Sequence, residues 1–270
     1  IICLLLLFFI LIVPFIIYNL FPCTFGIILP FYGSVLGGSI TLCGLYITIN
    51  NNRKNIKEEN AIKYKPNIVI EDLDKVVHGA LKRELNVGYQ VSLNKDAKHD
   101  ATYYFEKQIK HSKVQRLVFK NKGRGETYNT VVEKLELKPD WKEKTSNLYP
   151  MSSKLYVGEI LSGDNFIVDI GFPKGMFLPK DNKEHVVRCE LIINYSDMFN
   201  YKKYQLVTHF NMHVVPLKEL NTEMTCMDKD YADYEVLWQI GDVSPEKRIY
   251  SDKKKKYIHE YDYIQEQSNN

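Results

Sequence analysis

The sequence predicts a transmembrane α-helical hairpin followed by an all-β domain. That domain reads as an antiparallel Ig-like β-sandwich, with a β-barrel as the alternative, closed by a C-terminal helix or irregular tail. Three observations lead there. The first fifty residues are almost wholly apolar and carry no charge. From Asn67 onward the hydrophobic period becomes two, as in strands with one buried face. Turn residues separate these runs at short intervals, with no long amphipathic helix among them.

Gly26 to Asn50 (GIILPFYGSVLGGSITLCGLYITIN) is uncharged and long enough to cross a bilayer, which takes ~20 helical residues. Arg53, Lys54, Lys57, Lys63 and Lys65 follow it, the mark of a cytoplasmic flank. Ile1 to Phe21 (IICLLLLFFILIVPFIIYNLF) is a second uncharged run. It is longer than the apolar core of a signal peptide and no small-residue cleavage site follows it. It reads as a first membrane helix, with Pro14 tolerated inside lipid. The opening Ile in place of Met points to missing N-terminal residues. The short connector Phe21 to Phe25 makes the two helices a hairpin with both ends on the cytoplasmic side. The location expected is therefore a bacterial inner membrane, multi-pass, with the β-domain in the cytoplasm. In the second helix Gly33 and Gly37 have GxxxG spacing, and Thr41 and Gly44 lie near the same face. Small residues at that period let helices approach closely, either in a second copy or within the hairpin.

Residues 51–66 form a charged helical stalk ended by Pro66, which disfavours helix at the residue before it. The β-domain spans 67–216. Its expected strands are Asn67–Glu71, Gly88–Leu93, Ala101–Ile109, Val114–Asn121, Thr130–Leu137, Leu155–Leu161, Asn165–Ile170, Val186–Tyr195 and Tyr204–Val214. Ser162-Gly163-Asp164 reads as a hairpin turn between two of them. In the last pair Val187, Cys189, Leu191, Ile193 and Tyr195 face Tyr204, Leu206, Phe210, Met212 and Val214 across a hairpin. Residues 217–270 form the final segment. Tyr231, Tyr234, Leu237 and Trp238 recur at helical spacing in Asp230–Ile240, and Lys253–Lys256 with the Gln/Ser/Asn end reads as a solvated tail.

Composition excludes some functions. A net charge of +3 and a pI near 8.4 do not mark a nucleic-acid binder. The five cysteines form no CxxC pair and no disulfide framework. His209 and His213 would lie some 13 Å apart on a strand at ~3.3 Å per residue, too far for one metal ion. Asp169, Asp181, Glu184, Glu190 and Asp197 make no acid–base pair, Ser152 and Ser153 lack a nucleophile elbow, and His259-Glu260 completes no zinc motif. No cofactor or metal is implied. The most distinctive local feature is Asn121-Lys122-Gly123-Arg124-Gly125. With Lys120, Lys122 and Arg124 for charge and Gly123 and Gly125 for exposed amides, it could bind an anionic ligand. The plainer reading is a β-turn whose glycines supply positive φ.

The glycine-rich helix GSVLGGSITLCGLYITI, the stalk ending at Lys65-Pro66, the strand-turn LVFKNKGRGETYNT and the hairpin ELIINYSDMFNYKKYQLVTHFNM together resemble a broad group of uncharacterised bacterial membrane-anchored β-sandwich proteins. There the turn usually reads N-x-G-x-G-x-A; here Glu126-Thr127-Tyr128 replaces the small residue. In layout the chain more distantly resembles anti-phage effectors that join two membrane helices to a cyclic-nucleotide-sensing β-barrel. That resemblance implies ligand-driven clustering that disturbs the membrane. The function expected is a non-enzymatic, membrane-tethered binding or sensor module. Its partners would be the bilayer, a second copy through the membrane helices, and an anionic ligand or protein. The rivals are a scaffold protein bound at a sheet edge, an enzyme built from scattered carboxylates and histidines, and an extracellular receptor of opposite orientation.

Overall fold

A computed structural model describes residues 12, 15, 16, 18–20, 25–71, 85–92, 112–141, 148–150, 154–181, 183–219 and 231–268. The chain divides into two units, Ile1–Glu59 and Asn60–Asn270.

The first unit is dominated by helix α1, Phe25–Lys63. Its Gly33–Lys63 part is long and apolar enough to cross a membrane, with a mean hydropathy of 1.2, and none of that window is buried. Four of its hydroxyls bond within the helix: Ser34, Ser39, Thr41 and Thr48 each donate to the carbonyl four residues back, at 2.8–3.0 Å. Helix α1 continues through the charged stalk, as expected, and stops before Pro66. Of the first apolar run, the described residues 12, 15, 16 and 18–20 are helical; the rest of that run and the connector lie outside the described residues.

The second unit is built of strands: β1 Ile68–Glu71, β2 Leu85–Ser92, β3 Ser112–Asn121, β4 Thr127–Pro139, β5 Tyr149–Pro150, β6 Leu155–Ile160, β7 Asn165–Pro173, β8 Gly175–Pro179, β9 His185–Asp197, β10 Lys203–Glu219, β11 Tyr231–Ser251 and β12 Lys256–His259, followed by helix α2, Glu260–Ser268. They form a five-stranded sheet ordered β1-β3-β7-β2-β5 and a seven-stranded one that includes β12-β11-β10-β9-β4-β6, with β8 against β11. The fold includes a sheet that curls as a half-barrel. One core lies between the two sheets. Phe172 stacks on Trp238 at 4.4 Å, Phe119 on Phe166 at 4.9 Å, and Ile170, Leu191, Phe210 and Met212 are buried with them. Polar side chains also cross between the sheets. Tyr89 Oη donates to the Val132 carbonyl at 3.3 Å, Gln115 Nε2 to the Trp238 carbonyl at 2.9 Å, and Trp238 Nε1 to the Pro173 carbonyl at 2.8 Å.

The β9–β10 hairpin matches the expected register, with Tyr204 opposite Tyr195 and Leu206 opposite Ile193. Its loop is organised by Asp197, whose buried carboxylate accepts from the Phe199, Tyr201 and Lys202 amides at 2.8–3.0 Å.

Four expectations are corrected. Ser162-Gly163-Asp164 does form a turn, with Gly163 at φ 86°, but its flanking strands do not pair. β6 joins β4 in one sheet and β7 joins β3 and β2 in the other, so the turn carries the chain between layers. The fold is not purely antiparallel, because β2 and β7 run parallel. Asp230–Ile240 is no helix. Tyr231–Ser251 is a strand of 21 residues, paired with β8 and β10. Before its bulge the buried residues are Ala232, Tyr234, Val236 and Trp238, a period of two that the helical spacing of Tyr231, Tyr234, Leu237 and Trp238 concealed. Finally, the Lys253–Lys256 run is no free tail. It turns the chain into β12, with Ser251 opposite Lys256, and Lys254 pairs with Glu266 of α2 at 3.0 Å. The strand expected at Ala101–Ile109 lies outside the described residues.

Candidate functional site

The Lys122–Gly125 turn packs against the segment that follows helix α1. A Cβ on Gly125 would overlap the Tyr64 carbonyl oxygen and lie 2.6 Å from its carbon; one on Gly123 would lie 2.6 Å from Pro66 Cα. Neither glycine has a positive φ. They are required because backbone meets backbone there. The buried Asn121 side chain holds the junction. Its Oδ1 accepts from the Asn67 and Gly123 amides at 3.0 Å each, and its Nδ2 donates to the Gly125 carbonyl at 2.8 Å and the Ile160 carbonyl at 3.2 Å. The Lys122 amide donates to the Asn67 carbonyl at 2.8 Å. Two amides that would cradle an anion are thus already engaged.

The same short segment is held from other directions. Ala61 and Ile68 are buried. Lys65 pairs with Glu260 at the start of α2, Lys247 of β11 donates to Asn67 Oδ1, and the Tyr64 ring meets Phe199 at 6.0 Å, edge to face. Burial lowers the pKa of the Lys247 ammonium, as expected for a cation drawn from water. Residues 60–67 are therefore a strap built into the β unit.

Of the expected anion-binding side chains, Lys120 and Lys122 both turn to Glu71 at the end of β1, at 3.7 and 3.3 Å. Arg124 is exposed and has no ionic partner among the described residues. In helix α1, space is open around Gly33, Gly37 and Gly44, and the Thr41 hydroxyl bonds the Gly37 carbonyl at 2.8 Å.

Glu71 is also a wall of a cleft of about 430 Å³, lined by Ile70 and Glu71 of β1, Arg116, Leu117 and Val118 of β3, and Ile240 to Val243 with Pro245 of β11. Its size lies in the range of small-molecule sites. The β11 wall is a bulge. Ser244 lies opposite His209 and Gly241 opposite Asn211, so Asp242 and Val243 stand against Phe210 alone. Bulges re-aim side chains in this way. Asp242 has φ 49°, and its carboxylate accepts from Asn211 Nδ2 at 3.1 Å. Arg116 is clamped by both oxygens of Asp169, at 2.8 and 3.2 Å.

Glu71, Arg116 and Asp242 are absent from the residues that spacing singled out, and Asn121 stood there only as the first residue of the turn, without its anchoring role. Gly241-Asp242 and Ser244-Pro245 inside an alternating run are the available signal, since glycine and proline within a strand mark bulges.

The histidines do not converge. His209 lies 3.7 Å from Glu190 and 4.0 Å from Glu246, whereas His213 pairs with Glu184. His185 meets Asp140 with one ring nitrogen and Asp181 with the other, at 3.4 and 3.3 Å. Among the described residues no three His, Cys, Asp or Glu side chains could hold a metal ion. Compared with known protein families, characterised proteins and solved structures, the chain shows no match.

Proposed function

We propose that this chain is a non-enzymatic, membrane-tethered sensor. Its β-domain, Ig-like in general build, binds a small ligand in the cytoplasm, and a two-helix hairpin holds it in a bacterial inner membrane. One observation carries the reading: the strap that follows the apolar helix is locked into the β unit, and the strand leaving that strap ends in the cleft. β1 is four residues long. A ligand that displaces Glu71 acts on a strand whose other end, at Asn67, is bonded to Asn121, Lys122 and Lys247. A loosely linked domain would have no such route. Lys122 and Arg124, beside the strap, are the charges through which an anionic ligand or head group would be met. Clustering through Gly33, Gly37, Thr41 and Gly44, as in anti-phage effectors of similar layout, is the proposed output.

The test uses the full chain in bacterial membranes, with mild oxidation of Cys43 on helix α1 reporting self-association. The chain is expected to stay with the membranes through alkaline washing. A small-molecule extract of phage-infected cells is expected to raise the Cys43-linked dimer at least threefold over an extract of uninfected cells, and alanine at Lys122 and Arg124 to blunt that rise. A chain soluble without detergent, or one that answers both extracts alike, would overturn the reading.

The scaffold reading keeps one observation of its own. β6 is an edge strand among those described, and its Tyr156 is 78% exposed, as a strand that accepts a partner would be. A stable protein partner recovered with wild type but lost on Tyr156→Lys would favour it.

A further inference from the structure

The geometry points to a second ligand site, apart from the Glu71 cleft: a pocket at Lys203 that takes a phosphate ester carried on a small hydroxylated body. The site stands whether or not the sensor reading does.

Two irregular stretches of backbone make this pocket. In β4, Tyr128 lies opposite Ser196 and Val131 opposite Asn194, so Asn129 and Thr130 stand against Tyr195 alone. Such a bulge parts the strands locally and re-aims a side chain; here it brings Asn129 into the wall of the pocket. The other stretch is the β9–β10 loop, held by the three amides that bond to Asp197, and it supplies Asn200. Between them Asn194 of β9, Lys203 of β10 and Tyr257 of β12 complete a cavity of about 270 Å³. That volume is just below the range of drug-sized sites and suits a small ligand.

The wall is rich in donors and holds no carboxylate. Among the described residues Lys203 is its only charged side chain. The Lys203 ammonium lies 6.0 Å from the centre of the Tyr250 ring and meets no carboxylate among the described residues. Asp197, close by in the chain, is already engaged by its loop amides. The Asn194 side-chain oxygen accepts from Gln205 Nε2 at 3.0 Å, which leaves the Asn194 amino group to donate. Asn129 and Asn200 add two more carboxamides. Burial raises the pKa of the Tyr257 hydroxyl, so it keeps its proton and can donate it.

This set of groups discriminates between ligands. A cation finds no counter-charge, and a neutral polyol leaves the ammonium unmatched. A tetrahedral oxyanion accepts from several directions at once, which suits donors arriving from four strands and a loop; lysine meets phosphate as a point charge. A planar carboxylate, with two oxygens, reaches fewer of them. The carboxamide oxygens of Asn129 and Asn200 are acceptors, and they fit hydroxyls on the body that carries the phosphate.

The test titrates the full chain, in a non-ionic detergent, with glycerol 3-phosphate, glycerate and glycerol by ligand-observed NMR. Lys203→Gln and Tyr257→Phe are run in parallel, with Lys138→Gln of β4 as a charge control. Glycerol 3-phosphate is expected to bind at least fivefold more tightly than glycerate, with glycerol weakest. K203Q is expected to weaken the phosphate about tenfold, the worth of one charge-assisted hydrogen bond. Y257F should weaken it about threefold, as for one neutral hydrogen bond, and K138Q should leave it unchanged. All three variants should unfold within a few degrees of wild type. Phosphatidylglycerol in bicelles should displace the soluble ester if the natural source is a lipid head group, and leave it bound if the source is a free ester. Glycerol binding as tightly as glycerol 3-phosphate, no saturable binding at millimolar concentration, K203Q binding undiminished, or K138Q losing as much as K203Q, would overturn the assignment.

Discussion

At the scale of the residue, Gly125 and Asn121 show how much a single position decides. Any side chain at 125 drives into the Tyr64 carbonyl, and backbone on both sides has little room to yield. Gly125→Ala is expected to cost about 1–3 kcal/mol, the range for overpacking. Gly33→Ala, where nothing lies within 4 Å, should leave the unfolding midpoint unchanged. Asn121→Leu keeps the volume but strands the Asn67 and Gly123 amides and the Gly125 carbonyl. Each buried orphan costs about 1–3 kcal/mol, so denaturant titration should show a loss of about 3 kcal/mol or more. The Glu246 carboxyl is held below the usual range by its hydrogen bonds from Arg248. A depressed native value gives stability that is present above the unfolded pKa, about 4.3, and lost as pH falls through the native one. Arg248→Ala should therefore melt lower than wild type at pH 7, and the gap should close below about pH 4. Cys189 is 3% exposed and its thiol is pushed up by burial, so thiol reagents at pH 8 should reach it only after unfolding. The composition Lys-Gly-Arg-Gly was visible as a turn. That its glycines admit a second backbone was not, because the partner lies more than fifty positions earlier in the chain.

Among the elements, β9 and β10 were legible because each buries one face. The alternation of Cys189, Leu191 and Ile193 against Glu190 and Asn194 has no helical counterpart. β11 was harder. Tyr, Leu and Trp at positions 231, 234, 237 and 238 satisfy a helical period, while positions 232, 234, 236 and 238 satisfy a strand. Pairing on both sides, with β8 and β10, settled it, since backbone hydrogen bonding overrides an ambiguous pattern. Trp238 is 1% exposed, stacks on Phe172 and bonds Pro173. Trp238→Ala is expected to cost about 3–5 kcal/mol in denaturant titration, with the near-ultraviolet circular dichroism signal of the core diminished. The turn at Ser162 to Asp164 carries a related lesson. Turn chemistry reports that the chain reverses, and the destinations of its two arms depend on which sheet each can complete.

For the molecule as a whole, the strap separates two kinds of truncation. A chain beginning at Asn60 keeps the buried Ala61, the Lys65–Glu260 pair and the bonds of Asn67; one beginning at Ile68 loses them all. The first is expected to give a β-type far-ultraviolet spectrum and a cooperative melt, and the second to melt many degrees lower, since Asn121, Gly123 and Gly125 would then face solvent. Equal melting temperatures would show that the strap adds no stability to the β unit.

By itself the sequence determined one apolar helix long enough for a bilayer, a charged helical extension stopped by proline, and a β-rich body with its best hairpin in correct register. Each depends on contacts a few residues apart or on a period read along one segment. Only the tertiary structure decided that β6 and β7 part to different sheets, that β2 and β7 run parallel, that two glycines seat the strap, and that Glu71, Arg116 and Asp242 meet around one cleft. Those outcomes rest on pairing between distant segments, where the energy lies in burying a shared face and satisfying backbone groups, and no local period encodes the partner.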